Sequence, residues 1–215
     1  MIERRTLKTK KEWLESRTRI GGSDAAAILG LNPYKTNTDL WLEKVGRIMP
    51  EDISGKPYVQ YGTNAEKCLR ELFAMDFPQY RVDYFENNLI LNSKYPFAHA
   101  SLDGELTDED DRKGILEIKT TNILQSMQKE KWNNRIPDNY YIQILHYLMV
   151  TEYDFAVLKA QLKSDFGGNV YLQTKHYFIE RSDVEEDIAF LEKKEKEFWE
   201  SIKIGKKPAT ILPEI

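Results

Sequence analysis

From Ser101 the chain runs Ser101-Leu102-Asp103-Gly104-Glu105, crosses an acidic link containing Asp108, Glu109, Asp110 and Asp111, and re-emerges as Gly114-Ile115-Leu116-Glu117-Ile118-Lys119-Thr120. The second segment alternates as a strand does. Ile115, Glu117 and Lys119 fall on one side, Leu116 and Ile118 on the other. A half-buried strand carries apolar residues at its inward positions. A carboxylate and an ammonium two residues apart on one face break that rule. Asp103 is expected to end the preceding strand, and the link is long enough for a hairpin that brings Asp103 beside Glu117 and Lys119. Two carboxylates can hold a hard divalent cation through oxygen. A lysine beside them can orient and deprotonate a water, or steady developing negative charge. The competing explanation is an exposed cross-strand Glu/Lys pair with no chemistry.

Composition narrows the class. The 215 residues suit one domain, 1–215, with a real core. At 41% hydrophobic and 31% charged, the chain reads as globular rather than disordered. Cys68 is the only cysteine, so no disulfide within the chain and no cysteine-based zinc site is possible, and a reducing, cytoplasmic setting fits. Met1 to Arg19 is too charged for a signal peptide, and no apolar run is long enough for a bilayer. The net charge of −4 argues against a simple basic-patch DNA binder.

In chain order, a short helix is expected around Lys11–Leu14, followed by the basic pair Arg17 and Arg19. In Ile20-Gly21-Gly22-Ser23-Asp24-Ala25, the glycines permit a tight turn or close backbone approach, Ser23 or Asp24 caps a helix, and Gly30 ends it. That block is either an ordinary capped helix or, with an arginine, an anion pocket fit for a phosphate. Thr38–Val45 reads as a helix burying Leu40, Trp41 and Val45. Another starts at Tyr61, burying Leu69, Leu72 and Phe73, with Thr63 and Glu66 as a capping box. Glu66 is then a cap, or a third carboxylate aimed at Asp103 and Glu117.

Residues 81–92 and 95–106 read as two strands. After a polar stretch with Lys129, Lys131, Trp132 and Arg135, Pro137 opens a helix over Asp138–Val150, which sets Gln143 and Tyr147 at i and i+4. His99, His146 and His176 lack partners at ligand spacing and read as packed or surface residues. Strands follow at Phe155–Leu162 and Val170–Ile179. A last helix covers Ser182–Ile204, with a capping box at Ser182 and Glu185 and a charged run, Glu192–Glu197, on a solvated face. The sum is an α/β domain with a mixed central sheet flanked by helices.

Separated pieces match one pattern: Arg19 to Thr36, Tyr61-Gly62-Thr63-x-x-Glu66, Ser101-x-Asp103-Gly104, Leu116-Glu117-Ile118-Lys119-Thr120, and Tyr140-Tyr141-x-Gln143-x-x-x-Tyr147. Together they resemble the YqaJ-like viral recombinase nucleases, which belong with phage lambda exonuclease in the PD-(D/E)xK superfamily. The resemblance implies a restriction-endonuclease-like core. It implies that Asp103, Glu117, the Ile118 carbonyl and Glu66 hold Mg²⁺, with Mn²⁺ as a substitute. Lys119 would assist the attacking water, Gln143 would position the lysine or the water, and Tyr147 would support it. Ser101, and more loosely Ser23 with Arg17 or Arg19, would bind a 5′-phosphate.

The implied activity is a Mg²⁺-dependent 5′→3′ exonuclease on double-stranded DNA ends, leaving 3′ single-stranded tails for phage or prophage recombination. The implied assembly is a homotrimeric ring threaded by DNA, with Lys129, Lys131 and Arg135, beside Trp132, as channel or substrate-contact candidates against the reading of a solvated loop, and a single-strand annealing recombinase as partner. The alternatives are an endonuclease of the same superfamily and a non-catalytic DNA-binding module on the nuclease fold.

Overall fold

The computed structural model describes residues 1–212. Five strands form the central sheet in the order β2 (Arg81–Asp83), β4 (Gly104–Thr107), β5 (Lys113–Ile123), β6 (Phe155–Phe166), β7 (Asn169–Glu180). β5 and β6 are parallel and every other neighbouring pair is antiparallel, so the sheet is mixed as expected. The parallel pair needs a crossover. It is supplied by α5 (Ser126–Glu130) and α6 (Asp138–Thr151), which Pro137 precedes as anticipated.

The alternation read in β5 is what divides the core. Ile115 and Ile123 enter a large cluster with α6, α2 (Gly22–Ile28), α3 (Asn37–Lys44) and α7 (Glu185–Lys203). Leu116 and Ile118 enter a smaller one on the opposite face, with Leu69 and Phe73 of α4 (Pro57–Asp76). Each fully buried Leu or Phe there contributes about 1.5–3 kcal/mol. Glu117 and Lys119 share the α6 side of β5, within a buried strand interior.

Several expectations are corrected. The proposed strand over 81–92 is two short ones, β2 and β3 (Asn88–Asn92), in different sheets. β3 pairs with β1 (Ile2–Thr6), which the sequence reading missed. Of the proposed strand over 95–106 only Gly104–Thr107 is a strand, so Asp103 precedes a strand rather than ending one. α4 begins at Pro57, not Tyr61. Proline at a helix start costs no hydrogen bond, because the first amides have no intrahelical acceptor. Thr63 and Glu66 therefore lie inside the helix and form no capping box, and Leu72 is exposed.

α2 is capped by Gly21, whose N–H donates to the Asp24 carboxylate at 3.1 Å; Ser23 is exposed and does not cap. α1 (Lys10–Ser16) forms where a short helix was expected. Ser182 and Glu185 make no capping box either, since a 3₁₀ turn over Arg181–Asp183 precedes α7. Trp132 is buried, its ring tilted against Tyr140 and Tyr177, while Lys129, Lys131 and Arg135 are exposed. Glu195 lies within the charged run of α7, yet is fully buried.

Candidate active site

Four elements converge at the middle of β5. α4 brings Glu66, the turn before β4 brings Asp103, β5 brings Glu117 and Lys119, and α6 brings Gln143. Lys119 Nζ lies 2.5 Å from Glu117 Oε1. Gln143 Nε2 donates to that same oxygen at 2.8 Å and to the Tyr147 hydroxyl at 2.9 Å. The i, i+4 spacing on α6 thus builds a ladder from Tyr147 through Gln143 to Glu117. Gln143 reaches Lys119 only through Glu117.

Asp103 is fixed differently. Its Oδ2 accepts the Ile118 N–H at 2.9 Å, the amide between Glu117 and Lys119. Asp103 and the pair on β5 therefore meet across the β4–β5 ladder. A cleft of about 360 Å³ opens beside them, lined by Glu66, Asp103, Ile118, Lys119, Thr120 and Tyr140 among others.

The electrostatics follow from crowding. Burial and then the Asp103 charge push the Glu117 carboxyl up to about 8. Burial raises Asp103 as well, against the pull of Lys119 and the Ile118 amide. Burial and Asp103 raise Glu66. For Lys119, burial disfavours the charge, but Glu117 and Asp103 outweigh it and hold the pKa above the ordinary lysine value. Lys119 is therefore an ammonium, a donor rather than a free base.

Among the described residues no three His, Cys, Asp or Glu side chains meet as a ready metal cage. The acidic groups face protein donors instead: Glu66 faces Arg70, Asp103 the Ile118 amide, and Glu117 Lys119 and Gln143. Even so, Glu117 Oε2 is buried with no hydrogen-bond partner. An orphaned buried carboxylate oxygen costs free energy until something binds it. With Asp103 and Glu66 alongside, the donor set is all oxygen, which suits a hard divalent cation.

The glycine block serves close approach. A Cβ on Gly22 would lie 2.6 Å from Tyr147 Cε1 and 2.9 Å from Gln143 Cγ, and one on Gly21 would lie 3.0 Å from His99 Nε2. The glycines let α2 dock directly against the Gln143–Tyr147 ladder. Of the expected phosphate residues, two come together through Trp13. The Arg17 guanidinium stacks 4.5 Å from the Trp13 ring, and Trp13 Nε1 donates to Ser101 Oγ at 3.2 Å. The Ser101 hydroxyl donates to the Asn88 carbonyl at 2.8 Å. Arg19 is half-buried, and no hydrogen bond ties its side chain, or that of Ser23, to the Arg17–Trp13–Ser101 group.

Sequence reasoning missed Arg70. It is buried, donates to Glu66 Oε1 at 3.0 Å and to the Asp103 main-chain oxygen, and lies flat over Tyr84. The i, i+4 spacing from Glu66 was a signal, but reading the helix start at Tyr61 turned attention to capping.

The model of the YqaJ-like viral recombinase domain matches residues 12–154. The chain belongs to this family. It is 34% identical over 198 residues to the protein YqaJ of Bacillus subtilis (strain 168), covering 92% of this chain and 57% of that protein, so it spans little more than half of that relative's length. Among solved structures it is similar to an alkaline exonuclease from Laribacter hongkongensis, with a TM-score of 0.69 at 18% identity over 92% of this chain and 94% of that one. A structure of that exonuclease in complex with dAMP matches with a TM-score of 0.66 at 15% identity, over 92% and 94% of the two chains. A phage related exonuclease from Haemophilus somnus matches with a TM-score of 0.55 at 12% identity over 90% and 99%. The fold is the α/β nuclease core that the sequence implied. No described helix is long and apolar enough to cross a membrane.

Proposed function

We propose that this chain is a divalent-cation-dependent DNA exonuclease that degrades duplex ends 5′→3′ and leaves 3′ single-stranded tails for recombination. One observation carries the reading. Glu117, buried and with an unpartnered oxygen, is held by Lys119 at 2.5 Å and Gln143 at 2.8 Å behind a cleft that Lys119, Asp103 and Glu66 line. The family and the fold, which the chain shares with solved exonucleases, support the substrate and reaction class. Asp103, Glu117, Glu66 and the Ile118 carbonyl would hold Mg²⁺ or Mn²⁺, which when bound polarises a phosphodiester and acidifies water.

The chain's own residues do the rest. Lys119, kept charged by its neighbours, donates to the negative charge that develops on the phosphoryl oxygens. Gln143 fixes Glu117, and Tyr147 fixes Gln143. Arg17 and Ser101, bridged by Trp13, are the stronger candidates for the 5′-phosphate; Arg19 and Ser23 are the weaker ones. A homotrimeric ring and an annealing recombinase partner are carried only by the family resemblance.

The test is digestion of linear duplex labelled at each end, with and without 5′-phosphate and Mg²⁺, beside covalently closed circular duplex. The expected result is Mg²⁺-dependent loss from 5′ ends with the circle intact. Cleavage of the circle would make the protein an endonuclease, and loss from 3′ ends would reverse the polarity.

A further inference from the structure

Arg70 has more invested in it than a helix-surface ion pair requires. An exposed i, i+4 pair stabilises only weakly and is readily broken by solvent. Arg70 is instead 9% exposed. Its Nη1 donates to Glu66 Oε1 at 3.0 Å on its own helix and, across to the sheet, to the main-chain oxygen of Asp103. The guanidinium carbon stands 3.6 Å from the centroid of the Tyr84 ring. Its stem passes over Gly104, where a Cβ would come to 3.5 Å from Cδ. One face is stacked and one nitrogen is bonded twice, so the group is fixed.

Its placement matters because of the charges around it. Glu66 and Asp103 line one cleft with Glu117 buried behind it, and Lys119 hydrogen-bonds only to Glu117 among the three. Like charges in a half-buried site repel strongly. Arg70 is the second cation, and it binds the two parts of the cluster that Lys119 does not hydrogen-bond: Glu66 and the Asp103 peptide.

We propose that Arg70 is a resident counter-ion of this cluster, holding Glu66 and the Asp103 peptide in position and supplying part of the positive charge that a divalent cation would otherwise supply. The proposal rests on reading the cluster as a cation site. It makes Arg70 a positioning residue with two opposed effects. Its charge weakens cation binding, while its hydrogen bonds keep the ligands in the geometry that turnover needs.

A brace that merely ties α4 to β4 would have neither effect. The discriminating measurement is therefore cation-dependent stability together with affinity, using Ca²⁺ alone as the probe, on the full chain and three variants. Arg70→Gln removes the charge but can still donate to Asp103. Arg70→Lys keeps the charge without the planar fork. Tyr84→Ala removes the stacking platform only.

The expected result is that Arg70→Gln lowers the melting temperature in EDTA, gains more from Ca²⁺ than wild type does, and binds Ca²⁺ at least about fivefold more tightly by calorimetry. At saturating Mg²⁺ its kcat on linear duplex falls. Arg70→Lys should fold with near wild-type Ca²⁺ affinity and reduced kcat. Tyr84→Ala should lose stability while its Ca²⁺ response stays at the wild-type size.

If Arg70→Gln is destabilised but its Ca²⁺ gain and affinity equal those of wild type, Arg70 is a brace and the proposal fails alone. Should Arg70→Gln not fold, Arg70→Lys binding Ca²⁺ much more weakly or more tightly than wild type would overturn the charge argument. If wild type shows no Ca²⁺ response at all, the cation site and the proposal fall together.

Discussion

Two buried polar clusters flank α6, and they are unlike in charge. Toward α7, His146 bonds Glu195 through Nδ1 at 2.7 Å and the His99 carbonyl through Nε2 at 2.8 Å, with both side chains fully buried. Toward β5, Glu117 meets Lys119 and Gln143. Each cluster leaves one carboxylate oxygen unpartnered, Glu195 Oε2 and Glu117 Oε2. An orphan oxygen therefore does not by itself mark a site. What differs is the balance. Glu195 has one partner and no cleft, and the pair can neutralise itself; Glu195 raises the His146 pKa even against burial. Glu117 lies buried behind a 360 Å³ cleft that two further carboxylates, Asp103 and Glu66, line, with two cations among the three. Three acidic groups, all held toward their protonated forms by burial and crowding beside an opening, are what a cation would relieve; burial alone makes a structural lock.

That contrast breaks most sharply on Lys119→Ala or Asp103→Ala. Either should lower kcat per folded molecule about 10³-fold or more, with the native circular dichroism spectrum retained. Glu195→Ala should do the reverse. Leaving His146 buried without its partner should cost about 3–5 kcal/mol in chemical denaturation, with kcat per folded molecule retained. Catalytic loss without destabilisation at Glu195 would erase the distinction.

Gly22→Ala falls between the two regions. Its Cβ would meet Tyr147 at 2.6 Å, so overpacking of about 1–3 kcal/mol is expected, with a drop in kcat because Tyr147 orders Gln143. Unchanged kcat would detach the glycine block from the site.

Much of this was legible because it is local. The period of two in β5, the i, i+4 pair on α6 and the proline before it were readable from neighbours along the chain, and the structure keeps all three. Long-range partners were not. β1 has four charged or polar positions in five residues and is a strand only because β3 pairs with it. Glu195 sits in a run of charges indistinguishable from a solvated face until His146 is seen below it. Arg70 drew no reading, since nothing in its neighbours along the chain announces Tyr84 or the Asp103 carbonyl.

A smaller effect concerns pH. Glu117 keeps its proton to about pH 8 when folded and would lose it near the ordinary glutamate value when unfolded. The folded state thus binds more protons between those values, and this group's contribution to stability falls as pH rises from about 5 to about 8. Glu117→Gln lacks that term. Measured in EDTA, its stability relative to wild type should increase across this window. A difference independent of pH would mean that Glu117 is ionised throughout.

The account depends on Asp103, Glu117 and Glu66 forming one cation site, and anomalous diffraction from a crystal soaked in Mn²⁺ addresses it directly. The expected map has a peak in the cleft within about 2.3 Å of oxygens from both Asp103 and Glu117. Full Mn²⁺-supported activity in solution with no peak at these carboxylates, or a peak only elsewhere, would contradict it.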